Sequence, residues 1–183
     1  MSDSFQSYVF REKGRHSPAS TFGRVKEWLV GEKVIGTEVA ENALGEKGHV
    51  PGAHASSILI KDDDDWRSLA DNGVFFEVGR IIEASTELQS GMCPDCNNDF
   101  PVDSEAFSII DDALARYRAG GTGVFLCPHC ARDEHLSDWD FGHGLAIGTA
   151  KVTFWNWPEH VSDLDERFFD LSGMWCTKVW GKI

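Results

Sequence analysis

The chain has 183 residues, 42% of them hydrophobic, with seven tryptophans and a net charge of −13. That length predicts one domain, or one domain carrying a small insert, able to bury about 70% of its extended surface in a packed core. No apolar run reaches the roughly 18 residues of a membrane span, and the acidic balance disfavours nucleic acid as a partner.

Met1 to Pro18 is polar, of mixed charge and without the apolar centre of a signal peptide, so the expected location is cytoplasmic. Phe5 to Phe10 predicts a short strand. Ser17-Pro18 then offers an N-cap and a proline at the first helical position, Phe22, Val25, Trp28 and Leu29 share a helical face, and Gly31 is a stop. Residues 32–72 carry weaker signals. Lys33 to Ile35 reads as extended and Gly45 to Gly52 as a glycine-rich loop, with His49 and His54 as ordinary polar loop residues. Ser57 to Ile60 reads as a buried strand, and Asp62 to Asp65 as a solvated turn lacking the glycine-bearing loop of a calcium site. Val74 to Ala84 is a clear strand, with Val74, Phe76, Val78 and Ile82 on one face and Phe75, Glu77, Ile81 and Glu83 on the other.

Cys93-Pro94-Asp95-Cys96 and Cys127-Pro128-His129-Cys130 follow, two CPxC knuckles separated by 30 residues. Each knuckle turns two thiolates toward one point, and two facing knuckles complete the S4 tetrahedron that zinc takes in closed, structural sites. Redox use is disfavoured, because a thioredoxin-like pair occurs once, at the start of a helix. An iron site of rubredoxin type also uses paired CPxC, but with glycine after the second cysteine, where this chain has Asn97 and Ala131. The knuckles resemble the zinc-ribbon class over about a fifth of the chain. That resemblance implies one structural zinc per chain held by Cys93, Cys96, Cys127 and Cys130 in a hairpin-based module, with no specific activity. Paired knuckles followed by Phe154-Trp155-Asn156-Trp157-Pro158 are also similar to bacterial chains of no assigned activity, a likeness that adds no mechanism. His129 is expected beside the metal, not on it.

Between the knuckles, Asp103 caps a helix of about 15 residues, with Phe107, Ile110, Leu114 and Tyr117 at helical spacing and Arg116 and Arg118 before Gly120-Gly121. Gly123 to Leu126 leads as a strand into the second knuckle. His135, Asp138, Asp140 and His143 form a candidate second site, for a catalytic metal or an acid/base pair, weighed against a capped polar turn. Ala146 to Trp157 is a long strand, Ser162 caps a helix through Leu164, Phe168 and Leu171, Gly173 stops it, and Trp175 to Ile183 closes the chain as a strand. Trp155, Trp157 and Trp180 are candidates for an aromatic binding surface, unless the insert covers them. Cys176 reads as a buried thiol.

The expected fold is α+β: an antiparallel sheet with helices on one face, compatible with a ferredoxin-like βαββαβ order. Residues 1–90 and 141–183 form the body and 91–140 an inserted zinc-ribbon module. Residues 91–140 hold ten acidic and three basic residues, a charge of −7, and a zinc tetrathiolate adds −2. The leading functional reading is a non-enzymatic binding protein whose partner is a basic protein. The alternatives are a metal-dependent hydrolase using His135 to His143, and a nucleic-acid-binding ribbon revived by a basic stripe of Arg11, Lys13, Arg15, Arg24 and Lys26.

Overall fold

The computed structural model describes residues 3–11, 18–41, 45, 47–62, 64–69, 71–86 and 88–182. Ser17, Lys13, Arg15, Asp63 and Ile183, invoked above as cap, stripe, acidic turn and strand end, lie outside them. The fold is α+β. Strands β1 (Ser4–Phe10), β2 (Ile35–Glu41), β3 (Lys47–Pro51), β4 (Gly73–Ala84), β9 (Leu145–Trp155) and β10 (Cys176–Lys182) form one open antiparallel sheet in the order β10-β1-β9-β4-β3-β2. Two small hairpins, β5 (Ser90–Met92) with β6 (Asp99–Pro101) and β7 (Val124–Leu126) with β8 (Asp133–His135), lie between β4 and β9 in sequence. Among the described residues three α-helices complete it: α1 (Pro18–Gly31), α2 (Ser104–Arg118) and α3 (Leu164–Ser172). Among the described residues no helix is long and apolar enough to cross a membrane.

Alternation along the strands sorts the core. Tyr8, Phe10, Val74, Val152 and Phe154 meet Phe22, Val25 and Leu29 of α1 and Leu164 and Phe168 of α3, so these two helices cover one face. Tyr8 donates to or accepts from His160 at 3.0 Å deep in this layer. Burial, with the charge of Lys178 behind it, drives the His160 imidazole down to about 3 and keeps it neutral. On the other face Phe5 stacks on Trp155 at 6.0 Å beside Phe75 and Val179, and Lys151 bridges Glu83 and Glu77 at 2.6 and 3.3 Å.

Several expectations need correcting. The stretch read as a loop over Gly45 to Gly52 contains β3, which pairs with β2 at the sheet edge. Ser57 to Ile60 is not a strand. Ala55–Ile58 is a 3₁₀ turn, and only Leu59 makes a bridge, to His160. Of the acidic run, Asp64 and Asp65 open a 3₁₀ helix over Asp64–Ser68, and Asp62 accepts from the Trp66 indole at 3.1 Å. Asp163 takes the N-cap position expected of Ser162. Val78, still in register with Val74 and Phe76, is 52% exposed, and directly after it β4 carries a bulge where its register against β9 shifts between Val78 and Ile81. Gly79 sits there at φ +147, in a region an L side chain avoids.

That bulge divides the β4–β9 ribbon. Its first half belongs to the helix-covered sheet. Beyond it, Ile82 packs against a second core that contains Leu145 and Ile147 of β9 together with Phe100, Ile110, Leu114, Tyr117, Phe125 and Trp139. Arg80, next to the bulge, donates to the carbonyls of Tyr117, Gly120 and Gly121 at 2.8, 3.0 and 2.8 Å, and its guanidinium lies 4.8 Å over the Tyr117 ring. A cation thus closes the C-terminal carbonyls of α2, where the helix dipole favours one. Tyr117 also donates its hydroxyl to the Gly148 carbonyl at 3.1 Å. Gly148 is required at that crossing, since a Cβ there would run into the Phe10 carbonyl.

Arg80→Ala should therefore destabilise α2 by about 1–2 kcal/mol, the worth of its charge-assisted bonds after solvent exposure is allowed for. Amide exchange should accelerate at 114–118 while β1 and β9 keep their protection. Equal acceleration in all three would show that Arg80 is not a local joint.

Candidate metal centre

The two knuckle hairpins are built alike, residue by residue. In each, a strand begins three residues before the first cysteine and the return strand begins six residues after it. Asn97 donates its N–H to the Cys93 carbonyl and Ala131 to the Cys127 carbonyl, both at 3.0 Å. Cys93 N–H reaches Asn98 O at 3.2 Å, and Cys127 N–H reaches Arg132 O at 2.9 Å. Asn97 and Ala131 hold φ of +54 and +58. These are the positions where rubredoxin-like knuckles carry glycine, so the left-handed turn is kept without it. Asparagine tolerates that conformation; alanine does so at a steric cost.

The hairpins bring Cys93, Cys96, Cys127 and Cys130 together, with all four sulfurs within 4.8 Å of one another. Sγ–Sγ is 3.9 Å for Cys93 and Cys130 and 3.8 Å for Cys96 and Cys127. These separations are far beyond the ~2.05 Å of a disulfide, and all five cysteines are free. They match the edge of a sulfur tetrahedron, about 3.8 Å when zinc–sulfur bonds are about 2.3 Å. The donor set fits a metal that accepts four thiolates. At Cys130 the Arg132 backbone N–H favours the thiolate, yet desolvation and the three neighbouring sulfurs outweigh it and push the thiol up to about 12. Four sulfurs this close ionise together only around a cation.

Contacts around the sulfurs act within each hairpin and between the two. His129 donates its N–H to Cys127 Sγ at 3.4 Å, and Asn98 Nδ2 donates to Cys96 Sγ at 3.5 Å. The His129 ring reaches the Asp99 carbonyl across the site at 3.1 Å, and Arg132 pairs with Asp95 at 2.6 Å. His129 therefore sits beside the cluster, as its place in the motif implies. Below lies an aromatic floor: Phe100 and Phe125 at 5.5 Å, with Trp139 at 5.5 and 4.7 Å from them. Asp103 accepts from the N–H groups of Glu105 and Ala106, capping α2 as expected. Ile110, Leu114 and Tyr117 are buried, but Phe107 is 54% exposed, because the core-facing stripe runs through Ala106, Ile110, Ala113 and Tyr117 and leaves Phe107 beside it. The Asp95–Arg132 and Arg80–α2 contacts join residues 37 or more apart and carry no local signal in the sequence.

The other candidates stay apart. His135 caps its own turn through Ser137 at 2.7 Å, Asp140 accepts from Gly142 N–H at 2.8 Å, and His143 reaches the Lys178 carbonyl at 2.9 Å. Asp138 lies in the 3₁₀ turn Leu136–Asp138. Among the described residues, the cysteine cluster is the group of three or more potential ligands that converges. Trp155, Trp157 and Trp180 do not share a surface. Trp155 is buried against Phe5, Trp157 is buried on the helix side 4.8 Å from Trp66, and only Trp180, at 40%, is substantially exposed. His49 and His54 bond separate carbonyls, of Gly36 and Glu32. Of the basic stripe, Arg11 turns to Thr177 and Lys26 to the Phe76 ring. Cys176 packs against the helix-side core. No family model, curated protein or solved structure matches the chain.

Metal analysis of the purified chain should find about one zinc per chain, and Cys127→Ser should abolish it. A red, iron-containing preparation would overturn the zinc assignment. Ala131→Gly should raise stability by up to about 1 kcal/mol, seen as a higher Tm, because it relieves the left-handed alanine. A lower Tm would mean that the alanine carries no strain.

Proposed function

We propose that the protein is a zinc-stabilised binding protein that engages a basic region of another protein through the acidic surface of its metal-bearing segment. The observation that carries this reading is the convergence of four sulfurs in a segment of charge −7. A closed S4 set leaves no position for substrate, so the metal serves structure and not chemistry. A tetrathiolate zinc deepens the negative charge, which favours cationic partners and opposes phosphates. The hydrolase reading loses support because His135, Asp140 and His143 are each committed to separate local contacts.

In the same reading, residues 91–140 are an insert in a ferredoxin-like body. The strand order β10-β1-β9-β4, antiparallel throughout, supports that topology, as does the packing of α1 and α3 on one face. The β2–β3 hairpin then extends the sheet beyond β4. Free thiols grouped as ligands fit a reducing, cytoplasmic location.

Capture with the zinc-loaded full chain as bait should retain a basic protein, and retention should fall as ionic strength rises. Capture that survives Cys96→Ser unchanged, or that depends on nucleic acid, would sink the proposal. Cys96→Ser should first release protection in the hairpins and α2 while the six-stranded sheet persists. Simultaneous loss everywhere would mean that the insert does not unfold separately.

A further inference from the structure

Beside the metal centre runs a groove of about 470 Å³ between α2 and the second knuckle hairpin. Its floor is the Phe100–Phe125 pair, and its walls are Ala106 and Ile109 of α2 with Leu126 and Pro128 of the hairpin. Ile109 and Leu126 are 46% and 52% exposed, an apolar pair that this chain leaves in water. Asp103 and Glu105 stand on the rim, and the lining contains no lysine or arginine. Among the described residues, the Glu105 carboxylate has no hydrogen-bond or ion-pair partner. An apolar trough with a one-sign rim selects for a ligand with the opposite pattern, apolar in the centre and cationic at the flanks.

We propose that this groove is where the partner docks, and that its occupant is a basic segment of another protein inserting one or two large apolar side chains between Ile109 and Leu126. The inference rests on the binding-protein reading and narrows it to one surface and one ligand chemistry. Charge argues against a second copy as occupant, since the copy would bring another −13 to an acidic rim. The groove also depends on the metal: Phe100 and Phe125 come from different hairpins, and the four sulfurs hold those hairpins together.

The test uses the zinc-loaded full chain, labelled for amide NMR, and three synthetic probes. These are a lysine–leucine amphipathic peptide, a lysine–glutamine peptide of equal charge, and a neutral aryl compound. The lysine–leucine peptide should shift the amides of Ala106, Ile109, Phe125, Leu126 and His129. It should bind at least tenfold more tightly than the lysine–glutamine peptide. Ile109→Ser and Leu126→Ser, both exposed and so compatible with folding, should each weaken it severalfold, and Glu105→Gln should flatten its salt dependence. Shifts centred elsewhere, equal binding of the two peptides, or indifference to both serine substitutions would overturn the docking site. So would an aryl compound binding as tightly as the lysine–leucine peptide, or self-association that Leu126→Ser removes. If a captured basic partner still binds the Leu126→Ser chain at full strength, the groove fails while the acidic-surface reading stands. If neither peptide nor any basic protein binds, both fail.

Discussion

Four sulfurs within 4.8 Å of one another are the constraint on which the second half of this structure depends. As thiolates without a cation they would repel at every contact, and as thiols they would gain little from meeting. A metal bound there would turn the same arrangement into a strong local interaction; structural zinc contributes about 10–16 kcal/mol in small zinc-dependent peptides. The sulfur cluster closes the chain from Cys93 to Cys130, and α2 lies inside that closed loop, with Asp103 at its start and the Arg80 contacts at its end. Position and capping of the helix therefore follow from events at its two flanks.

The sulfur cluster does not act alone, because the segment is too small and too short of apolar surface to form an independent core with ease. Its buried cluster borrows Leu145 and Ile147 from β9, with Ile82 packed against it, and these lie on the ribbon that also builds the main sheet. The bulge near Gly79 makes this sharing possible: one extra residue in β4 lets the ribbon serve a helix-covered sheet before it and the metal side after it. Arg80 and Tyr117 then tie helix end to ribbon. A metal held by the four sulfurs would be the larger energetic term within the segment, and the ribbon contacts determine where the segment sits.

Much of this was legible in the sequence where the signal is local. The CPxC spacing located the sulfurs, Asp103 located the start of α2, and the long apolar alternations located β4 and β9. Alternation failed beyond Val78, where Ile82 joins the second core and not the Val74 face, because a bulge changes the phase without changing composition. The β2–β3 hairpin was invisible for a different reason: as an edge pair it buries little, with Val39 54% exposed, and its strands lack the apolar alternation that marks a half-buried strand. Trp155 and Trp157 show the limit of the same rule. They fall two residues apart, but β9 ends at Trp155, so Trp157 leaves the strand and turns into the helix-side core. Contacts between distant residues, such as Arg80 with Gly121 or Asp95 with Arg132, have no pattern by which a single sequence could announce them.

The segment's charges are unevenly used. Its cations are partly committed inside: Arg132 pairs with Asp95, and Arg116 donates to the Val124 carbonyl at 3.1 Å. Asp103 caps α2 and Asp140 closes a turn. Asp99, Glu105, Asp111, Asp112, Asp133 and Glu134 are left with no side-chain hydrogen bond or ion pair among the described residues. Six unneutralised carboxylates on a small surface repel one another, so they do not stabilise the fold that carries them. A zinc tetrathiolate at the four sulfurs would add to that repulsion while holding the hairpins together. Solubility alone would be served by scattered charge of either sign; under the proposed docking, carboxylates of one sign beside an apolar trough would give a cationic partner both attraction at a distance and an anchor on contact.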